Sequence, residues 1–262
     1  MASGRASDYL AKPPAGDLAS ALAYVRRELA PRLRMLTRTP QASPRELPVR
    51  AREALVAPAP RRLLPPAGVV AIGASTGGPR ALADVLGALP ADLEAPVLVV
   101  QHMPAAFTRH LADGLASQCA LDVREAEAGA RLEAGTVWIA AGDHHLMLER
   151  EHGHLQLALV QSPPEHACRP AVDPLLRSLA DVFGAATLAV VLTGMGQDGV
   201  AGCARVRAAD GQVLAQDEAT SVVWGMPGSV VRAGLADAVL PLGDIANEIV
   251  ARVRQGRAHR AA

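Results

Sequence analysis

Aromatic residues make up only 2% of this 262-residue chain: two Phe, two Trp and two Tyr. Any core must therefore be built from Leu, Val, Ile and Ala, and a stacking platform for single-stranded nucleic acid is disfavoured. Lysine is almost absent; Lys12 stands alone among 26 basic residues, the others being Arg. There are three cysteines, Cys119, Cys168 and Cys203, far apart and without a CxxC pair. That odd number fits a reducing compartment and argues against a disulfide scaffold. No apolar run approaches about eighteen residues, and the N-terminus carries no apolar signal core. The expectation is a cytoplasmic protein that is not embedded in a membrane.

What the chain has in quantity is aliphatic residue. Half of it is hydrophobic, enough for one α/β domain of moderate size with additional segments. Net charge is zero but unevenly spread. Residues 1–65 hold twelve Arg or Lys against five Asp or Glu, and the remainder is correspondingly acidic. The basic segment reads either as a solvated, Arg-rich linker or as a docking arm for an acidic partner.

Residues 38–66 are rich in Pro, Arg and Ala and read as a disordered linker. Ahead of them, a strand-like piece around Tyr9 is followed by an amphipathic helix pattern from Asp17 to about Leu36. From Gly68 onward apolar runs and helical patterns alternate. The predicted strands are 68–73, 96–101, 121–125, 136–140, 186–192, 212–216 and 237–240. The predicted helices are 79–89, 104–117, 172–183, 198–208, 227–233 and 243–255. Two β-like pieces, 145–150 and 154–160, read as a hairpin. Such alternation predicts an α/β fold: a mostly parallel, doubly wound sheet with helices on both faces and a small antiparallel hairpin.

In open parallel sheets, ligands bind beyond the carboxyl ends of the strands. The segments that follow three apolar strands are Gly73-Ala74-Ser75-Thr76-Gly77-Gly78, Gln101-His102-Met103-Pro104 and Thr193-Gly194-Met195-Gly196-Gln197-Asp198-Gly199. A serine, a histidine and an aspartate thus reach one rim from three strands. A serine hydroxyl needs a base to take its proton, an imidazole titrates near neutrality, and a carboxylate can orient the imidazole. The same glycine-rich turn also has the form of a phosphate cradle. However, Pro79-Arg80 follows where a P-loop needs Lys-Ser/Thr, and no acid ends the second strand as a dinucleotide site requires. Taken singly, Ser75 reads as turn chemistry, His102 as a structural histidine and Asp198 as the cap of the helix after it. Only their convergence favours acyl transfer, with backbone N–H groups near Thr76 and Met195 able to stabilise an oxyanion. His144 and His145 are adjacent and lack a third ligand, so they read as structural; no metal site and no cofactor are expected. Arg169 is read as a contact for acidic substrate or as a structural ion pair. Met195 and Met226 are expected to pack near the pocket.

These three segments resemble the motifs of the CheB-type chemotaxis protein-glutamate methylesterases. So do Ala141-Gly142-Asp143-His144-His145, Arg169-Pro170-Ala171-Val172-Asp173, and Gln216-Asp217-Glu218 with Trp224-Gly225-Met226-Pro227. The resemblance spans about residues 67–255 and implies a catalytic domain at 67–257 with the triad Ser75, His102 and Asp198. It implies hydrolysis of glutamyl methyl esters on the helical cytoplasmic domain of methyl-accepting chemoreceptors, with release of methanol, and deamidation of receptor glutamines. It implies no cofactor and no nucleic-acid partner, and a monomer is expected. Asp8-Tyr9-Leu10-Ala11-Lys12-Pro13 resembles the end of a two-component receiver domain, so residues 1–37 read as a receiver remnant without a phosphoacceptor. Two positions depart from the family pattern: Ala105-Ala106 after the histidine motif, and Ala171 where serine is usual. Rival readings are an esterase of a non-motility signalling system and a non-catalytic receptor-binding adaptor.

Overall fold

The computed structural model describes residues 65–254, apart from residue 152. The readings made for residues 1–37 and for most of the linker lie outside the described residues. Seven strands form one sheet: β1 (Val69–Ala74), β2 (Val97–Gln101), β3 (Asp122–Glu125), β4 (Thr136–Ile139), β7 (Thr187–Val191), β8 (Gln212–Gln216) and β9 (Ala238–Leu240). Their order is β3-β4-β2-β1-β7-β8-β9, and every pairing is parallel. Strands β5 (His145–Glu151) and β6 (His154–Val160) pair antiparallel as a separate hairpin. The helices are α1 (Gly78–Gly87), α2 (Ala105–Ala116), α3 (Val172–Phe183), α4 (Val200–Ala208), α5 (Met226–Arg232) and α6 (Leu242–Arg254). A short 3₁₀ turn, Gly184–Ala186, leads into β7.

The expected doubly wound α/β architecture is present, and its cause is visible residue by residue. Central strands buried on both faces need apolar side chains at every position, and the pleat sends alternate ones to opposite sides. In β1, Val70, Ile72 and Ala74 join one core, with Leu82 and Leu86 of α1 and Ile245 and Ile249 of α6. Val69 and Ala71 join the other core, with Leu175, Leu176 and Leu179 of α3, Val206 of α4, Val230 of α5, and Leu146 and Leu157 of the hairpin. Strand β2 divides in the same way, Val97 and Val99 against Leu98 and Val100.

Sheet order bears directly on the site. The chain leaves β1 towards β2 on one side and returns to β7 on the other, so the strand order reverses at β1. This is the switch point at which open α/β sheets form a crevice. Ser75 sits there.

Candidate active site

Parallel register places the serine beside the histidine. Ala74 pairs with Gln101, so Ser75 and His102 are the next residues out from adjacent strands. Adjacent strands lie about 4.8 Å apart. The His102 N–H donates to Ala74 O at 3.0 Å, and on the other side the Ser75 N–H donates to Thr193 O at 3.0 Å. The continuation of β7 therefore runs along the serine. A Cβ built on Gly194 would lie 2.8 Å from Ser75 Cβ and 2.4 Å from Met226 Sδ, so only glycine lets the two turns come this close. Gly77, with φ of 80°, allows the chain to turn from β1 into α1.

Asp198 is buried, 1% exposed, and its carboxylate is fully engaged. Oδ2 accepts from His102 Nε2 at 2.7 Å and from the Val172 N–H at 2.7 Å; Oδ1 accepts from the N–H groups of Asp173 at 3.0 Å and Gly199 at 2.9 Å. Burial works to raise its pKa. The hydrogen bond and charge of His102, together with the N–H groups of Val172 and Asp173, outweigh burial and hold the carboxyl below the usual aspartate value. With Nε2 donating to Asp198, Nδ1 is the ring nitrogen left to take a proton.

The alternative reading of Asp198, taken singly, as the cap of the helix after it does not hold. Helix α4, after Asp198, begins at Val200 with Gly199 as its cap residue and no side-chain cap. Asp198 instead seats the first turn of α3, whose own cap residue, Ala171, has no side-chain acceptor. The orphan N–H groups at a helix start favour an anion, and an aspartate from another loop supplies it. No local pattern reveals a cap that comes from residues 25 positions away.

The turn around Ser75 is braced by amides and a hydroxyl that sequence reasoning left without roles. Gln101 Nε2 donates to the carbonyls of Ser75 and His102, at 2.9 and 3.0 Å. Thr193 Oγ1 donates to Thr76 O at 2.9 Å, and the Thr193 N–H donates to Gln216 Oε1 at 2.7 Å. Gln101, Thr193 and Gln216 are all buried, and a buried polar residue closing an apolar strand was the available signal.

The other singled-out residues divide clearly. Ser75 is half-buried and Thr76 exposed. Among the described residues neither Ser75 Oγ nor the N–H groups of Thr76 and Met195 find a hydrogen-bond partner. Of the two methionines expected near the pocket, Met195 is 75% exposed, whereas Met226 is buried. Arg169 forms an ion pair with Asp143 at 2.5 Å and donates to Ser162 O, so it ties two loops together. His145 is buried between Pro163 O and the Ala171 N–H, and His144 lies against Gly142 O. A cleft of about 230 Å³ opens beside the imidazole, lined by His102, Met103, Ala167, Cys168, Arg169 and Pro170.

A parallel sheet that carries an imidazole–carboxylate pair and a serine turn at its switch point defines a doubly wound α/β protein with a candidate site in the crevice. Comparison with known proteins gives the particular family. Residues 70–249 match the family model for CheB methylesterase. A protein-glutamate methylesterase/protein-glutamine glutaminase of Trichodesmium erythraeum (strain IMS101) is 44% identical over 250 residues, 95% of this chain and 71% of that one. One from Maricaulis maris (strain MCS10), with the same name, is 51% identical over 188 residues, 72% of this chain and 47% of that one. The crystal structure of the Thermotoga maritima CheB methylesterase catalytic domain aligns with a TM-score of 0.69 at 44% identity, over 70% of this chain and 97% of the other. The chain belongs to the CheB methylesterase family.

Proposed function

We propose that this chain is a serine hydrolase that removes methyl esters from glutamate side chains of chemoreceptors, releasing methanol, and deamidates receptor glutamines by the same route. The observation that carries the reading is the 2.7 Å bond between His102 and the buried Asp198, one register step from Ser75. The family names of its relatives supply the ester and amide.

In the proposed mechanism, Ser75 Oγ attacks the side-chain carbonyl carbon and its proton passes to His102 Nδ1. Asp198 stabilises the imidazolium so formed. Catalytic hydrogen bonds often close only when substrate binds, which suits a serine hydroxyl that has no partner among the described residues. The N–H groups of Thr76 and Met195, unpartnered among the described residues, are assigned to the oxyanion. The imidazolium returns its proton as methanol leaves, or ammonia in the case of glutamine. Water then repeats the sequence on the acyl-serine, regenerating Ser75 and releasing a glutamate carboxylate. Phe107 follows the His102 loop, Met195 follows Gly194, and Val222 lies against Gly77; all three are well exposed and suit the apolar face of a receptor helix. On this reading the enzyme works as a cytoplasmic monomer.

Ser75→Ala is the direct test. Methanol release from methylated receptor should fall by about 10⁴- to 10⁶-fold while the unfolding transition is unchanged. Near-parental activity in that variant would refute the mechanism. A parent protein that binds receptor without releasing methanol would instead be the adaptor.

A further inference from the structure

A second histidine reaches the same carboxylate from the opposite side. His166 Nε2 lies 2.8 Å from Asp173 Oδ2 and 3.9 Å from Asp198 Oδ1. Both aspartates are 1% exposed, whereas His166 opens to solvent with about a third of its side chain accessible. One atom from each of the three residues fits within a span of 4.8 Å. Asp173 Oδ1 is held by the Gly202 N–H at 2.6 Å, which aims Oδ2 at the imidazole.

From this cluster the geometry points to an inhibitory site for a borderline divalent cation, Zn²⁺ in the first place, formed by His166, Asp173 and Asp198. A tetrahedral zinc with ligands at about 2.0–2.2 Å sets neighbouring donor atoms about 3.4 Å apart. The two distances from His166 Nε2 bracket that value. One imidazole nitrogen and two carboxylate oxygens are a donor set suited to zinc, while Mg²⁺ favours all-oxygen sites. Two buried carboxylates side by side favour a cation between them, and the exposed face of His166 leaves the fourth position to water. On binding, the proton on His166 Nε2 is released to solvent.

Inhibition follows from what Asp198 already does, and this part rests on the function proposed above. Both lone pairs of Oδ1 are occupied by the N–H groups of Asp173 and Gly199. An ion that takes Oδ1 must draw it away from one of them and drain charge from the carboxylate. Asp198 then holds the His102 imidazolium less well, so the chemical step slows while the substrate opening at Ser75 stays unchanged. Occupation should lower kcat roughly 10- to 100-fold with little change in KM, less than the ~10⁴-fold loss that follows removal of such a carboxylate's function.

The test is calorimetric titration of the purified full chain with Zn²⁺, alongside methanol release with and without the metal. The chain has eight histidines, so weaker surface binding is expected as well. His166→Gln should lose the tightest equivalent of zinc, keep basal activity and become insensitive to zinc. Asp173→Asn, which keeps an acceptor for the Gly202 N–H, should lose the same equivalent. Ser75→Ala should retain it, and Mg²⁺ should not replace it. An unchanged isotherm in His166→Gln would overturn the site. Stoichiometric zinc with an undiminished rate in the parent would overturn the inhibition. If no preparation releases methanol, the proposed function fails, and the isotherms of His166→Gln and Ser75→Ala still decide whether the site exists.

Discussion

On the proposed mechanism, Asp198 is where stability and chemistry meet in one residue. Its pKa lies below the ordinary aspartate value of 3.8, because the donors around it outweigh burial. A lowered native pKa means that the unfolded chain binds the proton more readily. The carboxylate's contribution to stability is therefore complete above about pH 3.8 and is lost as pH falls further, through the native value. Asp198→Asn lacks that contribution at every pH. In urea unfolding between pH 6 and pH 2, the stability gap between parent and variant should be widest at pH 6 and should narrow below pH 4. A gap independent of pH would show that the charge is not what stabilises. Single residues were legible in sequence to the extent that their chemistry is local. Ser75, His102 and Asp198 end apolar strands or open the loops after them, and three strand ends in a parallel sheet share a rim. Gln101 and Thr193 close strands too, but their tasks depend on carbonyls that only the folded turn presents.

Among the elements, periodicity was a good guide because burial on both sides leaves little freedom. Helix α3 was predicted at 172–183 and spans Val172–Phe183. Helix α4 was expected from 198 but begins at Val200, since Asp198 is occupied at another helix. How closely the elements approach is harder to foresee, and glycines show this best. A Cβ at Gly142, in the loop from β4 to β5, would fall 2.2 Å from Ala105 Cα at the start of α2. A Cβ at Gly114, exposed within α2, would meet nothing within 4 Å. The same change should thus have opposite signs. Gly142→Ala should destabilise by about 1–3 kcal/mol, since backbone must move to admit the methyl group. Gly114→Ala should stabilise by roughly 0.5–1 kcal/mol, since alanine loses less backbone entropy in a helix. Denaturant midpoints at unchanged slope would measure both, and equal effects would contradict the packing at Gly142.

For the molecule as a whole, control of the serine can come from the far side of Asp198. The proposed zinc site would act on Asp198 from within the described residues. This chain spans 71% of the length of the Trichodesmium erythraeum protein and 47% of that of the Maricaulis maris protein.

Sequence alone determined the alternation of strands and helices and the rim to which Ser75, His102 and Asp198 come, because these follow from local periodicity and from which side chain ends each strand. Tertiary structure decided which of those residues actually meet. The β1–β2 register sets Ser75 beside His102, and burial of Asp198 under the first turn of α3 fixes its lone pairs on His102 Nε2 and on three backbone N–H groups. It also brought His166 to the far side of that carboxylate. Apart from the neighbouring Gly199 N–H, such contacts join residues 25 to 96 positions apart, and no periodicity in the chain encodes a distance across the sheet.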